Sequence, residues 1–377
     1  MKWPIRELLN PVVTRSLLYG VNPFDLEYVL KKVDKIEKMS GREIQSVWLG
    51  EWDKKIKKYL DFAEEALKSG NLISAREYTE LAVRCCYACY MINTDDIPQK
   101  KAIYNRLSDC YLKYTKLCKN RIEYVEIPTK YGIMPAYLHF PLSYGSEEKL
   151  PCVITYSGVG SCKEELEMLA KPLTERGMAV LTPDMPGTGA ALFDHDLKCR
   201  GLMLESAFDT AFSYLENRDD IDSDKIGHFG LCMGGGYAFR AASKKPESKC
   251  CVSLFPLFIN IADIDSIPIW MKRGKWSALQ YGESETFLSE IKMLEEGNVS
   301  CDFLMVYSEY DNWMSTDASL SLYEKAIGFK EKIFVDEKPA YVSEETIMHA
   351  MPVGEQFHWI KHKSADFIAK RLVGGNI

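Results

Sequence analysis

No apolar run in this chain approaches the ~18 residues of a membrane-spanning helix, so no span is expected. No long block of like charge makes a nucleic-acid surface, and the formal net charge is a modest −7. Histidine is scarce, with six residues in 377, which shortens the search for a general base. The helical first third shows no fixed repeat period, so a tetratricopeptide array is set aside. The opening Met-Lys-Trp-Pro-Ile-Arg-Glu soon brings charge and lacks a signal-peptide apolar core, which leads us to expect a cytoplasmic protein. Cysteine runs against this scarcity, with twelve residues. Cys85-Cys86-x-x-Cys89 has no second C-x-x-C and no close histidine, so no metal is expected there. The cysteines read instead as reduced, buried small hydrophobes. At 46% apolar and 27% charged residues, the composition is that of a globular chain long enough for one large domain and a smaller one.

Residues 1–120 carry helical spacing and few strand signals. Helices are expected over Phe24–Met39, Asp53–Ser69 with Gly70 as C-cap, Ser74–Met91 and Gln99–Cys118. We therefore expect an all-helical N-terminal or lid domain over 1–120. From Arg121 the period changes. Ile122–Ile127 and Met134–Phe140 alternate around a Thr129–Gly132 turn, as a β-hairpin does. Short apolar runs then alternate with helices: Cys152–Tyr156, Ala179–Thr182, Ile226–Phe229, Cys250–Leu254, Asp302–Tyr307 and Lys332–Val335 are the expected strands. That rhythm predicts an α/β, mostly parallel, doubly wound sheet over 121–377, interrupted at 255–299 by a cap insertion.

The chemistry gathers at Gly230-Leu231-Cys232-Met233-Gly234, where a strand runs into a helix through a tight turn. This is the setting of a nucleophile elbow, with Cys in place of the usual Ser. Glycines two positions either side let the strained turn form, and the helix N-terminus favours a thiolate at Cys232. A carboxylate, Asp311, follows strand Phe303–Tyr307 where an open α/β sheet keeps its site. His349 comes later, in a loop after the last strand. The order nucleophile, acid, base is the one an α/β-hydrolase architecture requires, with Asp311 orienting the imidazole and His349 moving the Cys232 proton. Backbone donors for an oxyanion are expected at the amides of Met233 and Val159, the latter in Ser157-Gly158-Val159-Gly160-Ser161.

Each position has a plainer rival. The rival reading of Cys232 is a packed turn thiol in a protein that has lost activity, against which the ordered partners count. Asp317, Asp263 and Asp265 are alternative acids. His358 and His362 sit i, i+4 on the last helix and read as surface residues, while His139, His195 and His228 come too early for the base. Glu164-Glu165 reads as a pair favouring a helix N-terminus.

With these residues in view, the chain resembles the α/β-hydrolase family of 2,6-dihydroxypseudooxynicotine hydrolase, the fermentation–respiration switch protein and fungal polyketide chain-shortening hydrolases. The likeness rests on the helical N-terminal module, the hairpin Ile122–Pro141, the loop Gly158–Glu165 and "TPDMPGTG" at Thr182–Gly189. It implies a dimeric, cofactor-free and metal-free enzyme cleaving esters or carbon–carbon bonds of acylated aromatic or polyketide substrates, with the triad on Cys232, Asp311 and His349. The Cys departs from that family's Ser and is similar to the elbow of dienelactone hydrolases and of Cys-using cyclases. Hydrolysis of an ester, thioester or β-dicarbonyl in secondary metabolism is therefore expected, on a small-molecule or carrier-bound acyl substrate, with acyl transfer or cyclisation open beside it. A non-catalytic binding protein on a hydrolase scaffold is the reading from another class.

Overall fold

The structure, a computed structural model, describes residues 10–34, 41–92, 96–145, 149–158, 160–258, 297–311, 313–337 and 354–374. The chain divides into two compact units, Met1–Lys119 and Asn120–Ile377. In the first, described helices are α1 (Asn10–Leu18), α2 (Pro23–Asp34), α3 (Gly41–Lys68), α4 (Leu72–Tyr90) and α5 (Ile97–Thr115). α3 starts at Gly41 rather than at the expected Asp53, because Trp48, Trp52 and Ile56 repeat at helical spacing and are all fully buried. It ends at Lys68, and Gly70, two residues on, takes a left-handed φ of +74° that suits the turn after a helix. Cys85, Cys86 and Cys89 turn inward on α4 as packing residues, and the Trp48 indole donates to the Ala88 carbonyl at 2.9 Å. The expected helix beyond Asp34, to Met39, lies outside the described residues.

The second unit is built on one eight-stranded sheet. Its strands are β1 (Ile122–Thr129), β2 (Gly132–His139), β3 (Leu150–Tyr156), β4 (Ala179–Pro183), β5 (Ile221–Leu231), β6 (Cys250–Leu254), β7 (Asp302–Ser308) and β8 (Lys330–Val335). They lie in the order β1-β2-β4-β3-β5-β6-β7-β8. The β1–β2 hairpin closes with Thr129 opposite Gly132, and β2 runs antiparallel to both its neighbours. From β4 onward every pairing is parallel. This is the α/β-hydrolase arrangement.

Helices cover both faces, which is why the central strands are apolar on both sides. On one face α8 (Gly201–Glu216), α9 (Met233–Lys244) and α10 (Thr316–Glu324) pack Phe208, Phe212, Ala238 and Tyr323 with Ile154 and Phe303 of the sheet. On the other, α6 (Glu167–Thr174) and α11 (Gly354–Leu372) bring Leu169, Leu173, Phe367 and Ile368 against Val153, Phe229 and Val252. A short α7 (Gly189–Phe193) follows β4.

The parallel register sets the site. Tyr156 of β3 faces Gly230 of β5, Leu231 faces Leu254, Leu254 faces Val306, and Ser308 faces Val335. The C-terminal ends of β3, β5, β6, β7 and β8 are thus level, and the loops that follow them gather at one edge. Most of the expected cap, residues 259–296, lies outside the described residues. Among the described residues no helix is long and apolar enough to cross a membrane.

Candidate active site

β5 ends at Leu231 and α9 begins at Met233, so Cys232 alone makes the bend, at φ 60° and ψ −128°. A side chain with a Cβ is strained there, at a cost of order 1–3 kcal/mol, and the surroundings must hold it. They do so with backbone bonds: the Cys232 amide donates to the Leu254 carbonyl at 2.9 Å, and its carbonyl accepts from Gly235 at 2.8 Å and Leu257 at 3.0 Å. The flanking glycines are sterically required. A Cβ on Gly230 would lie 1.8 Å from the Gly234 carbonyl oxygen, and one on Gly234 would lie 2.1 Å from that of Tyr156. Cys232 is half-buried at the N-terminus of α9. As the first helical residue, Met233 carries an amide that the helix itself leaves without an acceptor.

Asp311 lies three residues past β7 and is only 5% exposed. Its Oδ1 accepts from the amides of Trp313 at 2.9 Å and Met314 at 3.1 Å, which fixes the carboxylate against its own turn. Trp313 and Met314 join Leu257 in a small apolar cluster, and Cys232 packs on the same cluster. The elbow and the Asp311 turn therefore meet at one spot on the sheet edge. Asp317 is exposed in the first turn of α10 and takes no part in that spot. His349 and Val159 lie outside the described residues, as do Asp263 and Asp265. His358 and His362 are exposed on α11. His139 and His228 are buried structural residues: His139 Nε2 lies 3.3 Å from Thr182 Oγ1, and His228 bridges Tyr156 Oη at 3.0 Å and Ser248 Oγ at 2.8 Å. His195 is half-buried.

The loop after β3 approaches Cys232 closely. A Cβ on Gly158 would lie 3.1 Å from Cys232 Cβ and 3.4 Å from its Sγ. The Ser157 hydroxyl beside it is buried with no hydrogen-bond partner among the described residues. Glu164 and Glu165 lie directly before a helix, as expected, and their carboxylates also bond to their neighbours in the turn. α6 starts at Glu167, and both carboxylates are buried in the preceding turn, where Glu165 accepts from the Ser161 hydroxyl and Glu164 pairs with Lys163 at 2.9 Å. Lys163 is itself wholly buried and also pairs with Asp184 at 2.9 Å. The Lys163–Asp184 pair, and Tyr237, whose hydroxyl donates to Met233 Sδ at 2.8 Å, were not picked out from the sequence. The available signal was a Lys-Glu-Glu run and an Asp placed at the ends of apolar strands, where charge is costly unless paired.

The sequence profile of the dienelactone hydrolase family matches residues 134–327, just over half of the 377. The chain belongs to the dienelactone hydrolase family. Hydrolase ORFZ of Pyricularia oryzae is 31% identical over 251 residues, covering 62% of this chain and 57% of the relative. The 2,6-dihydropseudooxynicotine hydrolase of Paenarthrobacter nicotinovorans is 27% identical over 266 residues, covering 68% of this chain and 65% of that protein. The match to ORFZ thus spans little more than half of its length, and that to alpha/beta hydrolase xenA of Xenoacremonium sinensis 51%. A solved structure of 2,6-dihydroxy-pseudo-oxynicotine hydrolase superposes with a TM-score of 0.74 at 20% identity, covering 96% of each chain, and carries the same fold.

Within this dienelactone hydrolase family member, environment separates Cys232 from most other cysteines. Ten of the twelve are buried, and none is in a disulfide. Burial pushes the thiols of Cys89, Cys152 and Cys301 up to about 12, and those of Cys162 and Cys251 well above their ordinary value. Such thiols stay protonated and inert at neutral pH. Cys232 is half-buried, at a helix N-terminus and on the sheet edge where the loops converge.

Proposed function

We propose that the protein is a hydrolase in which Cys232 attacks an acyl carbonyl, His349 moves the proton and Asp311 orients the imidazole. The observation that carries this reading is the backbone of Cys232, held at φ 60° by two close-packed glycines at the mouth of a parallel sheet. Strain of that kind persists where a site needs an exposed nucleophile. The thiolate adds to the carbonyl and gives a tetrahedral oxyanion, received by the Met233 amide and by the Val159 amide of the loop after β3. Collapse releases the leaving group, protonated by His349, and leaves an acyl-Cys232 thioester. Water activated by His349 then releases the acid and restores the thiol. The substrate class is an ester, thioester or β-dicarbonyl, small or carrier-bound, of secondary metabolism.

The sulfur supports a second reading. A thioester is more receptive to amines and carbanions than an oxygen ester is, which favours an acyltransferase or cyclase on the same triad. Turnover of aryl esters and acyl thioesters by wild type and Cys232→Ala tests the proposal. Turnover by wild type alone supports an enzyme, and amide formed on adding amines selects transfer over hydrolysis. If neither protein turns over any acyl donor, the chain is a binding protein on a hydrolase scaffold and the proposal fails.

A further inference from the structure

Beneath the loop that overhangs Cys232 lies a group of charges that packing alone does not require. Asp184, directly after β4, is wholly buried and gathers three bonds. Its Oδ1 accepts from the Lys163 amide at 2.7 Å, and its Oδ2 from the Ala190 amide at 2.8 Å and from Lys163 Nζ at 2.9 Å. Lys163 Nζ also reaches Glu164 Oε1 at 2.9 Å and lies 5.4 Å from the centre of the Tyr137 ring. Asp184 is tied to the sheet by its own amide, which donates to the Pro135 carbonyl of β2 at 2.8 Å. Two residues before Lys163, Ser161 bonds Glu165 through its hydroxyl and the Gly158 carbonyl through its amide, the latter at 3.4 Å. The chain of contacts thus runs from β2 through Asp184 and Lys163 to Gly158, where an added Cβ would lie 3.4 Å from Cys232 Sγ.

An isolated ion pair in the core is poor evidence for stability, because desolvation offsets most of the attraction. Here the pair joins two loops at the catalytic edge through both side-chain and main-chain bonds. We propose that Lys163 and Asp184 are positioning residues: their buried pair fixes the loop after β3 at the distance from Cys232 at which its backbone receives the oxyanion. This rests on the acyl-Cys232 reading above. Loss of one oxyanion donor costs on the order of a hundredfold or more in rate, and a displacement of about 1 Å can cost as much.

Two reactions of the same sulfur separate positioning from general damage. With p-nitrophenyl acetate the thiolate forms a thioester through a tetrahedral oxyanion and expels p-nitrophenolate. With iodoacetamide it displaces iodide in one step that has no oxyanion. Both rates are read at the Cys232 peptide by mass spectrometry for wild type, Asp184→Asn and Lys163→Met. Ser161→Ala, which removes only the hydroxyl bonded to Glu165, is the milder variant should the buried-charge variants not fold. Acylation is expected to fall at least about tenfold in Asp184→Asn and Lys163→Met and about threefold in Ser161→Ala, while alkylation stays within about twofold. Acylation at the wild-type rate in the folded variants, or a parallel fall of both rates, overturns the inference alone. A wild type that is alkylated but never acylated overturns the proposed function and this inference with it.

Discussion

Replacing Cys232 by glycine should leave a more stable protein than replacing it by alanine. At most positions the order is the reverse, because glycine loses more backbone freedom on folding, a difference of about 0.5–1 kcal/mol. At Cys232 the backbone sits at φ 60° and ψ −128°, where any Cβ is strained. Relief of that strain contributes about 1–3 kcal/mol to the glycine variant. Both substitutions remove the thiol, so its packing against Leu257, Trp313 and Met314 cancels in the comparison. The balance favours glycine by roughly 0.5–2 kcal/mol. For a unit of this size each kcal/mol moves the melting temperature by about 2–4 °C, so a gap of a few degrees is expected. Thermal melts of the two variants, under one buffer and scan rate, read it directly. An alanine variant as stable as the glycine variant or more so would mean that the elbow stores no strain, and the argument that singles out Cys232 would lose its footing.

Gly234→Ala should disable the site from the other side. Its new Cβ would lie 2.1 Å from the Tyr156 carbonyl, so backbone must move, at a cost of about 1–3 kcal/mol or more, and acylation of Cys232 should fall at least about a hundredfold. Wild-type acylation kinetics in that variant would contradict it. Asp311→Asn keeps an oxygen for the Trp313 and Met314 amides and removes only the charge. Its unfolding midpoint should stay near wild type while turnover drops at least about a hundredfold, whereas the exposed Asp317→Asn should change turnover less than about twofold. Equal losses in the two, or a larger one in Asp317→Asn, would take the orienting role away from Asp311. Acidification should destabilise the fold through His139 and His228, whose burial lowers their pKa from 6.5 to about 3. The unfolded chain binds protons near pH 6.5 and the folded one does not, so stability is full above that pH and is lost as pH falls toward 3. At pH 5 each histidine costs about 2 kcal/mol, from 1.36 kcal/mol per unit, and the urea midpoint at pH 5 should lie well below that at pH 7.5. Identical midpoints would show that neither imidazole is held neutral.

The sheet was legible because its strands are short apolar runs between turn residues, and all eight fall where the pattern places them. β5 is longer than its apolar part. It starts at Ile221, pairs there with Leu150, and passes through Asp222-Ser223-Asp224-Lys225 before pairing resumes at Ile226. Those polar residues are exposed or half-exposed at the sheet's rim and carry no period-2 signal. α10 escaped notice for a related reason. It is nine residues long, and its start depends on Ser315 accepting from the Ala318 amide at 3.1 Å rather than on a broad apolar face. The elbow was readable because its glycines stand two positions either side of Cys232 between a strand and a helix; the reason for the second, the Tyr156 carbonyl of β3, lies far away in sequence. The buried Lys163–Asp184 pair was not, because its partners are 21 positions apart and only the β3–β4 pairing brings them together. Local pattern says where a charge sits in sequence and nothing of what it faces.

In the proposed reaction one sulfur, that of Cys232, takes up the acyl group. Incubation with an activated acyl ester, followed by tandem mass spectrometry of the peptide spanning Gly230–Arg240, tests it most directly. Acyl mass is expected on Cys232 in wild type, longer-lived in the absence of amines, with no label anywhere in Cys232→Ala. Label on another residue, or none while substrate is still consumed, would contradict it.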